Sequence, residues 1–120
     1  MILAIVQARM GSSRLPGKVL KEVNGKPLIE ILLYRLSQSK KIDKIVIATS
    51  ENKENDILTE IVEKLGFDVF RGSEDDVLSR YYQAAKCYSS KTVVRITGDC
   101  PIIDPQLVDE VIDLYQENNV

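Results

Sequence analysis

The chain opens on an unbroken apolar run, Ile2, Leu3, Ala4, Ile5 and Val6, closed by Gln7. A run of this kind, without alternation, predicts a strand covered on both faces, as in the middle of a parallel sheet. Residues 9–18 have no apolar period and mix two glycines, two serines, a proline and three cations, so they are expected to form a loop. Asn24 and Gly25 mark a tight turn. Pro27 sits where a first helical residue is favoured, ahead of Ile29, Leu32, Leu33 and Leu36 at helical spacing. Residues 44–49 read as a second buried strand. Asn52 is a candidate cap for a helix carrying Ile57, Leu58, Ile61, Val62 and Leu65, which Gly66 stops. Residues 67–70 form a short strand, and Asp75 and Asp76 fall in the first turn of a helix with Val77, Tyr81, Ala84, Ala85 and Tyr88 on one face. Residues 92–97 give a fourth strand. After a turn through Gly98 and Pro101, Pro105 opens a last helix with Leu107, Val108, Val111, Ile112, Leu114 and Tyr115 inward.

Strands and helices alternating at this pace require right-handed crossovers, hence a mostly parallel sheet with helices on both faces, a Rossmann-like α/β three-layer sandwich. With 120 residues there is room for one small domain, residues 1–120, and no linker or repeat divides it. Val120 points toward a further strand, so the chain reads as a truncated piece of something longer.

Composition narrows the chemistry. Sixteen basic residues against 18 acidic leave a net charge of −2, so no global field favours nucleic acid or anionic lipid. Any anion site must be local. Histidine is absent, which removes the Ser-His-Asp triad, the His-activated cysteine and nearly every zinc hydrolase site. The two cysteines, Cys87 and Cys100, form no short-spaced metal or redox pair and are expected to be reduced. No apolar run reaches the ~18 residues of a membrane helix, and Ile2 to Val6 lack a basic leader, so a soluble, cytoplasmic protein is expected.

In an open parallel sheet, ligands bind beyond the carboxyl ends of the strands, so the segments after strands one, three and four are expected to converge. The first reads Ala8, Arg9, Met10, Gly11, Ser12, Ser13, Arg14, Leu15, Pro16, Gly17, Lys18. Glycines let amides approach an anion, serines add hydroxyl donors, and three cations would neutralise phosphate charge. A polyphosphate suits it better than solvent alone. A Walker A loop is excluded, because Gly11 and Gly17 enclose five residues and Val19 follows Lys18. A dinucleotide fingerprint fails too, with Ser13 where its second glycine belongs. The fourth strand ends Arg95, Ile96, Thr97, Gly98, Asp99, Cys100, Pro101, and Asp99 is placed to hold Mg²⁺ on the phosphates, although an isolated aspartate after glycine also caps turns.

The run from Ala4 to Lys18 resembles the signature of the cytidylyltransferases that activate acidic sugars. That family includes the acylneuraminate and 3-deoxy-manno-octulosonate enzymes, and the match is closest to its spore-coat polysaccharide branch. The resemblance continues through Gly25 to Leu28, Phe70 to Ser73, Asp76 to Leu78, Arg80 and Tyr81, and Arg95 to Asp104. It implies the nucleotide-diphospho-sugar transferase type of fold and a CTP-dependent transfer to a sugar acceptor, with release of pyrophosphate. On the matching positions, Arg9, Ser13, Arg14 and Lys18 would hold the triphosphate and Asp99 a magnesium ion, with Arg14, Lys18 and Asp99 as the catalytic set. Ala8, Met10, Gly11, Ser12, Thr97 and the segment Arg71, Gly72, Ser73 would complete the nucleotide site and read the base. Family members are about twice this length, and their later half supplies a second metal-binding aspartate, much of the sugar pocket and the contacts of a homodimer.

Two other readings stay open on the residues. One is a nucleotidyltransferase of the same architecture using another base; the other is a nucleotide-binding module without catalysis. Asp75 and Asp76 have a plain alternative as helix-terminal charges, with capping more expected of Asp75 and Ser73 as a further cap. Tyr81 and Tyr82 are expected to pack rather than stack on a base.

Overall fold

A computed structural model describes residues 2–11, 20–23, 25–73, 76–89, 92–97 and 105–118. In chain order these form β1 (Ile2–Gln7), β2 (Glu22–Val23), β3 (Lys26–Pro27), α1 (Leu28–Leu36), β4 (Lys44–Ser50), a 3₁₀ turn (Lys53–Asn55), α2 (Asp56–Lys64), β5 (Asp68–Gly72), α3 (Val77–Cys87), β6 (Thr92–Thr97) and α4 (Pro105–Asn118). The main sheet runs β5-β4-β1-β6 with every pair parallel. β1 is therefore central, and Leu3, Ala4, Ile5 and Val6 are fully buried, as their unbroken apolar run requires.

The pleat sends alternate residues of β1 to opposite layers. Ala4 and Val6 join Ile29, Leu32, Leu33 and Leu36 of α1 and Leu58 and Val62 of α2 on one face, where Val108 of α4 also packs. Leu3 and Ile5 join Val46, Ala48, Tyr81 and Ala84 on the other, beneath α3. The three-layer α/β arrangement expected from the pattern is the one observed.

Local differences have identifiable causes. Pro27 has ψ 147° and ends a two-stranded hairpin, so α1 begins one residue later. Gly25 takes φ +81° at the bend of that hairpin, where a side chain would be strained. Asn52 makes no side-chain cap bond, because a 3₁₀ turn separates it from α2. Gly66, at φ +92°, ends α2 as expected: its amide reaches Glu63 O at 3.0 Å and the amide of Phe67 reaches Val62 O at 3.2 Å, a Schellman closure. Asp76 proves to be the N-cap of α3, its Oδ1 accepting from the Ser79 amide at 2.9 Å, while Ser73 Oγ accepts from the Asp76 amide at 3.2 Å. Asp75 lies outside the described residues.

Three residues read as apolar packing face solvent instead: Val111 is 58% exposed, Ile57 51% and Tyr82 67%. Ile112, one position on from Val111, is 3% exposed, so the stripe of α4 is narrower than its composition suggests. The side chains of Val77, Leu107, Leu114 and Tyr115 lie outside those described.

Candidate nucleotide site

The order β5-β4-β1-β6 reverses direction at β1: β4 and β5 step outward on one side and β6 returns to the other. That reversal leaves a crevice at the carboxyl ends of β1 and β6, where open parallel sheets bind ligands. Gln7 and Thr97 are register partners there. The loop singled out in the sequence leaves β1 at this point.

Its first residues are tied down. Ala8 is 4% exposed and its amide donates to Ala48 O at 3.1 Å, so that amide is committed to the sheet. Met10 packs its side chain on the core, and its amide donates to Asn55 Oδ1 at 2.8 Å. Asn55 is fully buried and passes the link on, Nδ2 donating to Ser50 Oγ at 2.6 Å. Arg9 is half-buried beside them. Gly11 faces the Glu54 carboxylate so closely that a Cβ there would collide with Oε1. Ser12, Ser13, Arg14, Lys18 and Asp99 lie outside the described residues, as does the side chain of Thr97.

The third segment lies on the same carboxyl edge of the sheet, one strand further out. β5 is an edge strand, and β4 stands between it and β1, so the end of β4 is the neighbour that touches the loop. Arg71 joins β5 to that neighbour. Its Nε donates to Ser50 O at 2.9 Å, Nη1 to Asp56 Oδ1 at 2.8 Å and Nη2 to Asn52 O at 2.8 Å. The Gly72 carbonyl accepts from the Glu51 amide at 3.1 Å, and exposed Ser73 holds the start of α3. The segment thus braces the β4–α2 connection, which in turn fixes Met10. Asn55, the pivot of this chain of bonds, carried no motif signal; only an asparagine near a helix start hinted at a local role.

Perturbed acids lie elsewhere. Hydrogen bonds from Lys44 and Tyr88 hold Asp68 below its ordinary value despite some burial, and the Tyr88 hydroxyl is pushed up to about 12 by burial and by Asp68. These groups line clefts at the amino ends of β4 and β5 with Asp43, Gly66 and Phe67. Lys44 is paired there with Asp68 at 3.0 Å, so its charge is already answered. Among the described residues no cluster of three acidic or thiol groups could hold a metal, and no helix is long and apolar enough to cross a membrane. Cys87 is free and exposed.

A family model described as cytidylyltransferase matches residues 3–120. The chain belongs to the cytidylyltransferase family. It is similar to the spore coat polysaccharide biosynthesis protein SpsF of Bacillus subtilis, 46% identical over 118 residues, covering 95% of this chain and 49% of the relative. It is also similar to an 8-amino-3,8-dideoxy-manno-octulosonate cytidylyltransferase of Shewanella frigidimarina, 32% identical over 122 residues, with 98% and 48% covered. A solved cytidylyltransferase from Leptospira borgpetersenii superposes with a TM-score of 0.94 at 42% identity, covering 98% of this chain and 49% of that one. The chain spans about half the length of the curated relatives it matches.

Proposed function

We propose that this cytidylyltransferase chain forms the nucleotide-binding portion of an enzyme that transfers CMP from CTP to an acidic or related sugar, releasing pyrophosphate, for surface polysaccharide synthesis in the cytoplasm. The observation that carries the reading is the family's loop leaving the central strand at the reversal of strand order, with its first turn held by Asn55. Spore-coat and octulosonate relatives support the product class.

The chemistry asks for alignment and charge neutralisation, not a covalent nucleophile. A sugar oxygen attacks the α-phosphorus as the bond to pyrophosphate breaks, and fixed cations stabilise the departing charge. Arg9, Ser13, Arg14 and Lys18 would bind the triphosphate, with Arg14 and Lys18 stabilising the leaving group. Asp99, two residues along the chain from Thr97, would hold Mg²⁺, a hard cation suited to one carboxylate plus phosphate oxygens. When bound, that ion supplies further neutralisation of the polyphosphate. The sugar acceptor and a homodimer contact belong to this reading of the longer protein.

Equilibrium titration with CTP, UTP and GTP in the presence of Mg²⁺ tests it. A preference for CTP that Arg14→Ala and Lys18→Ala each weaken is expected; indifference to the base would remove the cytidylyl assignment.

A further inference from the structure

Arg80, in the second turn of α3, is 1% exposed, and none of Nε, Nη1 and Nη2 has a hydrogen-bond partner among the described residues. A guanidinium keeps its charge in proteins, and a buried charge without a partner is strongly unfavourable. Its position is defined by Gly72, the last residue of β5: a Cβ built there would lie 3.0 Å from Arg80 Cγ and 3.2 Å from Phe70 Cε1. Gly72 is in register with Ser50, so the charge sits at the carboxyl edge of the sheet, on the α3 face. Among the described residues, the acids of the flanking elements are otherwise engaged. Asp76 is exposed and caps α3 through the Ser79 amide, and Asp68, at the opposite end of β5, is held by Lys44 and Tyr88. The neighbouring cation on this face, Arg95, lies 4.2 Å over the Tyr81 ring and adds positive charge.

We propose that Arg80 is a positioning residue whose buried positive charge is answered by the phosphates of a nucleoside triphosphate held at the carboxyl edge of the sheet. This rests on the nucleotide reading above. The guanidinium nitrogens are covered, so the charge acts through its field, which the low-dielectric interior screens weakly. Among the described residues nothing pairs with this cation in the unbound protein, and the bound anion relieves it. Removing the charge should therefore act in opposite directions on stability and on anion binding, the pattern of a site held at the expense of stability.

The test compares the wild-type chain with Arg80→Met and Arg80→Lys by thermal unfolding, and by titration with inorganic pyrophosphate, with CTP and Mg²⁺, and with uncharged cytidine. Arg80→Met is expected to melt above wild type without ligand and to bind pyrophosphate and CTP about tenfold more weakly. Cytidine binding should not change, and Arg80→Lys should stay close to wild type. An Arg80→Met variant that binds pyrophosphate as wild type does overturns the proposal, whatever its melting temperature, as does a wild-type chain that binds neither anion. Should Arg80→Met not fold, Arg80→Gln read against Arg80→Lys makes the same comparison. Arg80-dependent pyrophosphate binding without any base preference keeps this inference and removes the cytidylyl reading. A CTP preference unaffected by Arg80→Met does the reverse.

Discussion

The Met10 amide donates a 2.8 Å hydrogen bond to Oδ1 of Asn55, a residue 45 positions away that is itself fully buried. Through this bond the start of α2 sets where the loop leaving β1 begins. Asn55→Ala would orphan the Met10 amide and remove the Nδ2 donor to Ser50 Oγ. Buried groups left unpaired cost about 1–3 kcal/mol each, so a clear fall in melting temperature is expected. Nucleotide affinity should fall with it. Asn55→Asp keeps an acceptor for Met10 but buries a charge and loses the donor to Ser50, and it should be the less stable of the two in a denaturant melt.

Arg71 makes three bonds that share one planar fork. Lysine presents a single ammonium and cannot reproduce that geometry. Arg71→Lys should therefore behave almost as Arg71→Ala, each costing roughly 1–2 kcal/mol, since the Asp56 arm is largely solvent-exposed and adds little. Chemical denaturation of both variants checks this, and rescue by lysine would show that charge alone matters.

Glu54 places its carboxylate against Gly11, at the mouth of a loop read here as a polyphosphate cradle. Like charges repel. Glu54→Gln is expected to tighten CTP binding by ~2–5-fold at low ionic strength, with the gain shrinking toward zero at about 0.5 M salt, where exposed charges are screened. Titration calorimetry at the two salt concentrations reads the difference directly.

Asp109 of α4 anchors the segment after α1, accepting from Ser39 Oγ and from the amides of Lys40 at 2.9 Å and Lys41 at 3.2 Å. Burial pushes its carboxyl up, but those hydrogen bonds and the Lys41 charge outweigh it and hold it below the ordinary 3.8. The folded value is the lower one, so its contribution to stability is complete above the ordinary value and is lost as pH falls through the folded one. Asp68 acts in the same direction. Melting temperature should drop on acidification below about pH 4, and Asp109→Asn should flatten that slope while lowering stability at neutral pH.

Much of the fold was legible in the chain alone because each element declares itself locally. The apolar run of β1, the helical spacing of Ile29 to Leu36 and the Gly66 stop all reflect interactions within a few residues, and the alternation of strands with helices then leaves few topologies. The loop reading of residues 8–18 rests on glycines, serines and cations that stand together in sequence, and of these residues Ala8 to Gly11 are among those described. What tertiary structure alone decided is which distant groups meet. The order β5-β4-β1-β6 put β4 rather than β5 beside the loop, gave Met10 its partner in Asn55, turned Arg71 toward Ser50, Asn52 and Asp56, and enclosed Arg80 beneath Gly72 with no hydrogen-bond partner among the described residues. Hydrogen bonding and burial between residues far apart depend on the register of strands and the seating of helices on them. No local pattern in the chain encodes those distances.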